Sequence, residues 1–195
     1  MSPNILRYFI KFFLMLNILI MIGAQKCVFS NEECDCSTSI IEYSIICNKP
    51  STLSFPLFEN LTKIARHNLF SIKLLNKNYK IIPKYAFQNL KMRLLVLTSN
   101  QIEEISEGGF DRILGLIELN LNFNKIKNLR NLINSFRGLN NSELNGFIKL
   151  SFSNNEITDL DFVFPLTLRF LIYLSLSNNK IISITSNVFD QLISL

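Results

Sequence analysis

The amino-acid sequence predicts an α/β-type repeat solenoid, and three observations carry that prediction. Four stretches, LLVLTSNQI (94 to 102), ELNLNFNKI (118 to 126), KLSFSNNEI (149 to 157) and YLSLSNNKI (173 to 181), share alternating apolar residues, an asparagine and a following isoleucine. Aligned on Asn100, Asn124, Asn155 and Asn179, they recur at steps of 24, 31 and 24 residues. Apolar residues also hold fixed offsets from each asparagine: Met92, Leu116, Phe147 and Leu171; Leu95, Leu119, Leu150 and Leu174; Leu97, Leu121, Phe152 and Leu176; Ile102, Ile126, Ile157 and Ile181.

The chain begins with a different kind of segment. Residues 1–24, MSPNILRYFIKFFLMLNILIMIGA, place Arg7 and Lys11 ahead of an apolar run from Phe12 to Ile22 and close on Gly23 and Ala24. That succession has the form of a cleaved secretory signal peptide. A membrane span needs about 20 apolar residues, and the uninterrupted run after Lys11 is shorter. Export is therefore expected, and cleavage takes the formal charge from +5 to +3. So weak a basic balance, with no concentrated run of Lys and Arg, gives no support for nucleic acid as a partner.

Residues 25–56 hold all four cysteines, Cys27, Cys34, Cys36 and Cys47. An even cluster in an exported chain reads as two disulfides, for which the sequence alone permits three connectivities. Zinc is the weaker reading, because the gaps of six, one and ten residues differ from the close C-x2-4-C pairs of tetrahedral sites.

Residues 57–195 carry the repeats. Alternation such as that of Leu174 and Leu176 marks a strand with one buried face. A short strand with a tight bend and a return segment buries little alone, so neighbouring units must stack their leucines, each side chain contributing about 1.5–3 kcal/mol. The bend turns backbone polar groups inward, and each one left unsatisfied costs about 1–3 kcal/mol. An amide side chain carries both donors and acceptors, so Asn100, Asn124, Asn155 and Asn179 are expected to form a ladder that satisfies successive bends. Later in the unit, Ile105, Phe110 and Ile113 match Ile184, Phe189 and Leu192. A degenerate earlier copy fits Leu69, Ile72, Leu74, Lys77, Tyr79, Ile82, Phe87 and Leu90. There lysine stands in the asparagine place, so either its amine points outward or Asn76 or Asn78 takes over.

The step of 31 contains seven extra residues within NLRNLINSFRGLNNSELNGF (128 to 147), expected to leave the stack as a loop. Asn140 and Asn60 head N-x-S/T acceptors for glycosylation. One further period after Asn179 calls for a leucine at 195, where Leu195 stands last. The favoured expectation is a fragment of a longer product; the other is an uncapped end hidden by homo-association.

The unit L-x-x-L-x-L-x-x-N-x-L with its later phenylalanine, preceded by C-x6-C-x-C-x10-C, resembles the extracellular leucine-rich-repeat family over residues 27–195. The resemblance implies a horseshoe with a parallel β-sheet on its concave face and irregular or short helical convex segments. It also implies a disulfide-bonded N-terminal cap, with Cys27 joined to Cys36 and Cys34 to Cys47, and cap strands supplied by residues 40–56.

Strand residues that avoid the core form columns on the concave face: Ser71, Leu94, Glu118, Lys149 and Tyr173; Lys73, Val96, Asn120, Ser151 and Ser175; Leu75, Thr98, Asn122, Ser153 and Ser177. The candidate ligand-binding residues are Leu94, Val96, Glu118, Asn120, Lys149, Ser151, Tyr173 and Ser175. Tyr173 is the best anchor, since tyrosine is favoured in binding hot spots, whereas Phe123 is expected to tuck against its bend. Catalysis, metals and cofactors find no motif: His67 is the one histidine, and the carboxylates fall on different bends. The expected function is a secreted or cell-surface module that recognises an extracellular protein ligand or receptor. Alternatives are a structural extracellular-matrix component or the non-catalytic subunit of a secreted enzyme complex. A membrane enters only if a further C-terminal region supplies an anchor.

Overall fold

The computed structural model describes residues 34–38, 43–47, 69–137 and 149–195. Period-2 alternation produces the strands that open each coil: β3 (Leu69–Leu74), β5 (Met92–Val96), β7 (Glu118–Asn120), β8 (Lys149–Ser151) and β10 (Tyr173–Ser175). These lie parallel in one sheet, in register through Ile72, Leu95, Leu119, Leu150 and Leu174. Before them, β1 (Cys34–Thr38) and β2 (Tyr43–Cys47) form an antiparallel pair whose second strand joins β3, giving the order β1-β2-β3-β5-β7-β8-β10. The repeat solenoid is thus present as stacked coils of parallel strands with little helix. Among the described residues, β1 lies ahead of the segment expected to supply the cap strands. Cys47 is buried and disulfide-bonded, and Cys34 is its register partner in the antiparallel pair.

On the far side of each coil shorter ladders form. There β4 (Ile81–Ile82) pairs with β6 (Glu104–Ile105), and β9 (Asp159–Leu160) pairs with β11 (Ser183–Ile184). The leucines between the two sides make one continuous core from Ile45 to Leu192. Phe110 packs between Phe87, with ring centroids 5.4 Å apart, and Phe136, at 6.3 Å. Space beside it is tight at Gly109, since a Cβ there would lie 3.1 Å from Ser106 O and 3.3 Å from an Ile82 methyl. In the last coil the equivalent positions are less covered: Leu174 and Leu176 are half-buried and Ile184 is exposed.

The inserted stretch departs from the expected loop. Residues Arg130–Arg137 form helix α1, which buries Leu132, Ile133 and Phe136 together with Leu129 just before it, the i, i+3, i+4, i+7 spacing of one helical face. Asn128 Oδ1 accepts the Arg130 N–H at 2.6 Å, satisfying a donor at the helix start. The Thr167 hydroxyl donates to Phe136 O at 2.9 Å near the other end, and Arg130 pairs with Asp161. The inserted stretch therefore carries a helix between β7 and β8, and Phe136 holds the buried phenylalanine place. Asn140 and Asn60 lie outside the described residues.

Asp159 accepts hydrogen bonds from the Ser183 and Thr158 hydroxyls, each at 2.6 Å. The Ser183 bond first, then the Thr158 bond, holds its pKa below the ordinary 3.8. A lowered folded-state pKa stabilises the fold above the unfolded-state pKa, and that contribution is lost as pH falls through the folded value. Following the Asp159 carboxyl by NMR, we expect its midpoint to rise toward the ordinary value in Ser183→Ala; an unmoved midpoint rejects this attribution.

Candidate interaction face

The asparagines repeat one hydrogen-bond scheme. Asn100 Nδ2 donates to Leu97 O of its own coil at 3.0 Å and to Leu74 O of the preceding coil at 2.8 Å, while its Oδ1 accepts Lys77 N–H at 2.8 Å. Asn124 donates to Leu121 O and Leu97 O and accepts from Ile102 N–H. Asn155 donates to Phe152 O and Leu121 O and accepts from Ile126 N–H. Asn179 donates to Leu176 O and Phe152 O and accepts from Ile157 N–H. Each amide therefore joins its own bend to the preceding one.

The residue before each ladder place turns the chain through the left-handed region: Asn76, Ser99, Phe123, Asn154 and Asn178 have φ of 55–57°. Asparagine tolerates that conformation well, whereas a bulky side chain seldom adopts it. Lys77 occupies the ladder place in its coil and is only 2% exposed, so an outward amine is excluded. Asn76 and Asn78 are both exposed.

Strand pairing sets the outward columns side by side. One runs through Ser71, Leu94, Glu118, Lys149 and Tyr173, and the next through Lys73, Val96, Asn120, Ser151 and Ser175. Ser71 is not part of an accessible face, because it is buried and its hydroxyl donates to Ser44 Oγ at 2.9 Å. Leu94, Val96, Asn120, Ser151 and Ser175 are half-buried, and Tyr173 is 50% exposed. Glu118 and Lys149 face each other as an ion pair at 3.9 Å, which leaves this part of the face nearly neutral.

The third column adds a polar network. Asn122 Oδ1 accepts Ser151 Oγ–H at 2.8 Å and Ser153 N–H at 2.7 Å, and Ser177 Oγ donates to Ser153 Oγ at 3.0 Å. Asn120 Oδ1 accepts Asn122 N–H at 3.0 Å. With their oxygens engaged, the half-exposed Asn120 and Asn122 offer amide N–H donors to a ligand.

Phe123 corrects an expectation. It does not tuck under its bend but stands 58% exposed at a left-handed position. The readable signal was an aromatic where the other units place Asn or Ser.

His67 and Cys27 lie outside the described residues. Among the described residues no group of three or more His, Cys, Asp or Glu side chains is placed to hold a metal, and no helix is long and apolar enough to cross a membrane. Neither a protein-family model nor a curated protein matches this chain.

Proposed function

We propose that this chain is a secreted or cell-surface leucine-rich-repeat module that recognises another protein through the outward face of its strands. The observation that carries this reading is Tyr173, a half-exposed aromatic at the edge of a hydrogen-bonding face on which Glu118 and Lys149 neutralise each other. Tyrosine supplies apolar area and a hydroxyl with few rotors to immobilise. Leu94 and Val96 extend apolar contact, while Asn120, Ser151 and Ser175 provide polar partners. The horseshoe curvature, the leader at 1–24 and the glycans at Asn60 and Asn140 belong to the same proposal. So does a cap held by Cys27–Cys36 and Cys34–Cys47, the second of which fits the strand register.

The test is a binding array of secreted and cell-surface ectodomains probed with the chain recovered from culture medium. A true partner is expected to lose about 30-fold or more in affinity on Tyr173→Ala, the scale of a hot-spot truncation, with an unchanged unfolding curve. If every partner found tolerates Tyr173→Ala together with Asn120→Ala, the face is not the binding surface.

A further inference from the structure

Coil stacking builds a cationic cluster that is invisible in the linear sequence. Lys84 and Arg112 are 28 residues apart, yet both lie over the ring of Tyr85, with Lys84 Nζ 4.9 Å and Arg112 Cζ 5.6 Å from its centroid. Backbone bonds fix the arrangement: Tyr85 N–H donates to Gly108 O at 3.0 Å, and Asn89 N–H donates to Arg112 O at 2.8 Å. Lys91 is bridged to Leu114, two residues beyond Arg112, Arg93 follows within β5, and all four cations are exposed.

Some cations of the later coils are neutralised: Arg130, Lys149 and Lys180 each pair with a carboxylate, at Asp161, Glu118 and Glu156 respectively, whereas Lys125, Lys127 and Arg169 do not among the described residues. Among the described residues Lys84, Lys91, Arg93 and Arg112 have no such partner. Acids adjoin the cluster: Glu107 precedes Gly108 in the chain, and Asp111 Oδ2 and Lys84 Cε both flank Gly108. Neither forms an ion pair with the cluster.

An exposed lysine or arginine ordinarily pays rotamer entropy to hold a ligand, so a shared aromatic ring that fixes two of them lowers that cost. We propose that Lys84, Arg112, Lys91 and Arg93 form a docking site for a sulfated polysaccharide, with Tyr85 as the platform that positions the first two. Unpaired cations on neighbouring coils suit a linear polymer carrying repeated anionic groups. The ring that a nucleobase would stack on is engaged by cations. The choice of a glycan among polyanions rests on the export proposed above; the site itself does not.

The experiment uses the chain recovered from medium, immobilised heparin, desulfated heparin and a single-stranded DNA oligonucleotide, each over a NaCl series. Lys84→Gln/Arg112→Gln is expected to weaken heparin binding at least tenfold at 0.15 M NaCl. It should also flatten the dependence of log K on log salt by about 1 to 2, since each cation engaged releases roughly one counterion. Glu107→Gln should strengthen binding. A charge-matched change elsewhere, Lys125→Gln/Lys127→Gln, should have little effect, and desulfated heparin should not bind. Equal loss in the two double variants, or no retention on heparin, overturns the site. DNA bound as tightly as heparin and lost with the same variant overturns the glycan assignment. Tyr173→Ala should leave heparin retention unchanged, so failure here is distinguishable from failure of the protein-recognition face.

Discussion

Asn124→Ala is expected to remove about 2–4 kcal/mol of unfolding free energy, far more than a typical surface substitution. The hydrogen bonds show where the cost falls. Leu97 O keeps the Asn100 amide, and Leu121 O keeps the Asn155 amide, when Asn124 is truncated. Ile102 N–H, however, loses the Asn124 Oδ1 acceptor it meets at 3.0 Å and is left buried. One orphaned donor and two weakened carbonyls, rather than three orphans, set the magnitude. Asn124→Asp should be worse than alanine at neutral pH, because a buried carboxylate then faces two carbonyl oxygens. Its folded-state pKa would be raised, so that variant should recover stability as pH falls. Urea denaturation with an unchanged m-value measures both. A loss below about 0.5 kcal/mol for alanine would mean the amide is not the bend's structural partner.

Phe110→Ala is expected to cost about 3–5 kcal/mol, the range for emptying a buried aromatic site. Phe110 is fully buried between Phe87 and Phe136 and touches both coils that flank its own. Collapse to fill the space is restrained, because Phe136 hangs from helix α1 and the turns that carry Phe87 and Phe110 are tied together by the bonds from Tyr85 N–H to Gly108 O and from Asn89 N–H to Arg112 O. Phe189→Ala provides the contrast. It stacks on Phe164 at 5.9 Å but is 38% exposed, so its loss should be the smaller by 1 kcal/mol or more. Equal costs at the two sites would show that the inner phenylalanines do not form a continuous spine.

The repeat was legible because its cause is local. A strand with one buried face writes itself as alternation, and the offsets of Leu95, Leu97, Asn100 and Ile102 predicted which residues align across coils. The register of Leu94, Glu118, Lys149 and Tyr173 follows from the same spacing. Helix α1 was also written in the sequence, at Leu129, Leu132, Ile133 and Phe136. Seven extra residues suggested a loop, but a helix places the same apolar residues against the core and satisfies its own backbone.

Other features depend on neighbours that no spacing reveals. Lys77 and Ser71 are buried through contacts with adjoining coils, although their residue types point to solvent. The cluster around Tyr85 exists only because Arg112 arrives from the next coil. Phe123 was misread because an aromatic usually seeks burial, yet its place in the bend fixes a backbone direction that keeps it out.

The amide scheme has a polarity. Every bend donates an N–H, at Lys77, Ile102, Ile126 and Ile157, that finds its acceptor only on the succeeding turn of the chain. A turn is therefore incompletely sealed until its successor has docked, so undocking any one coil should open the bend N–H of the coil before it to exchange with solvent while the bends further back stay closed.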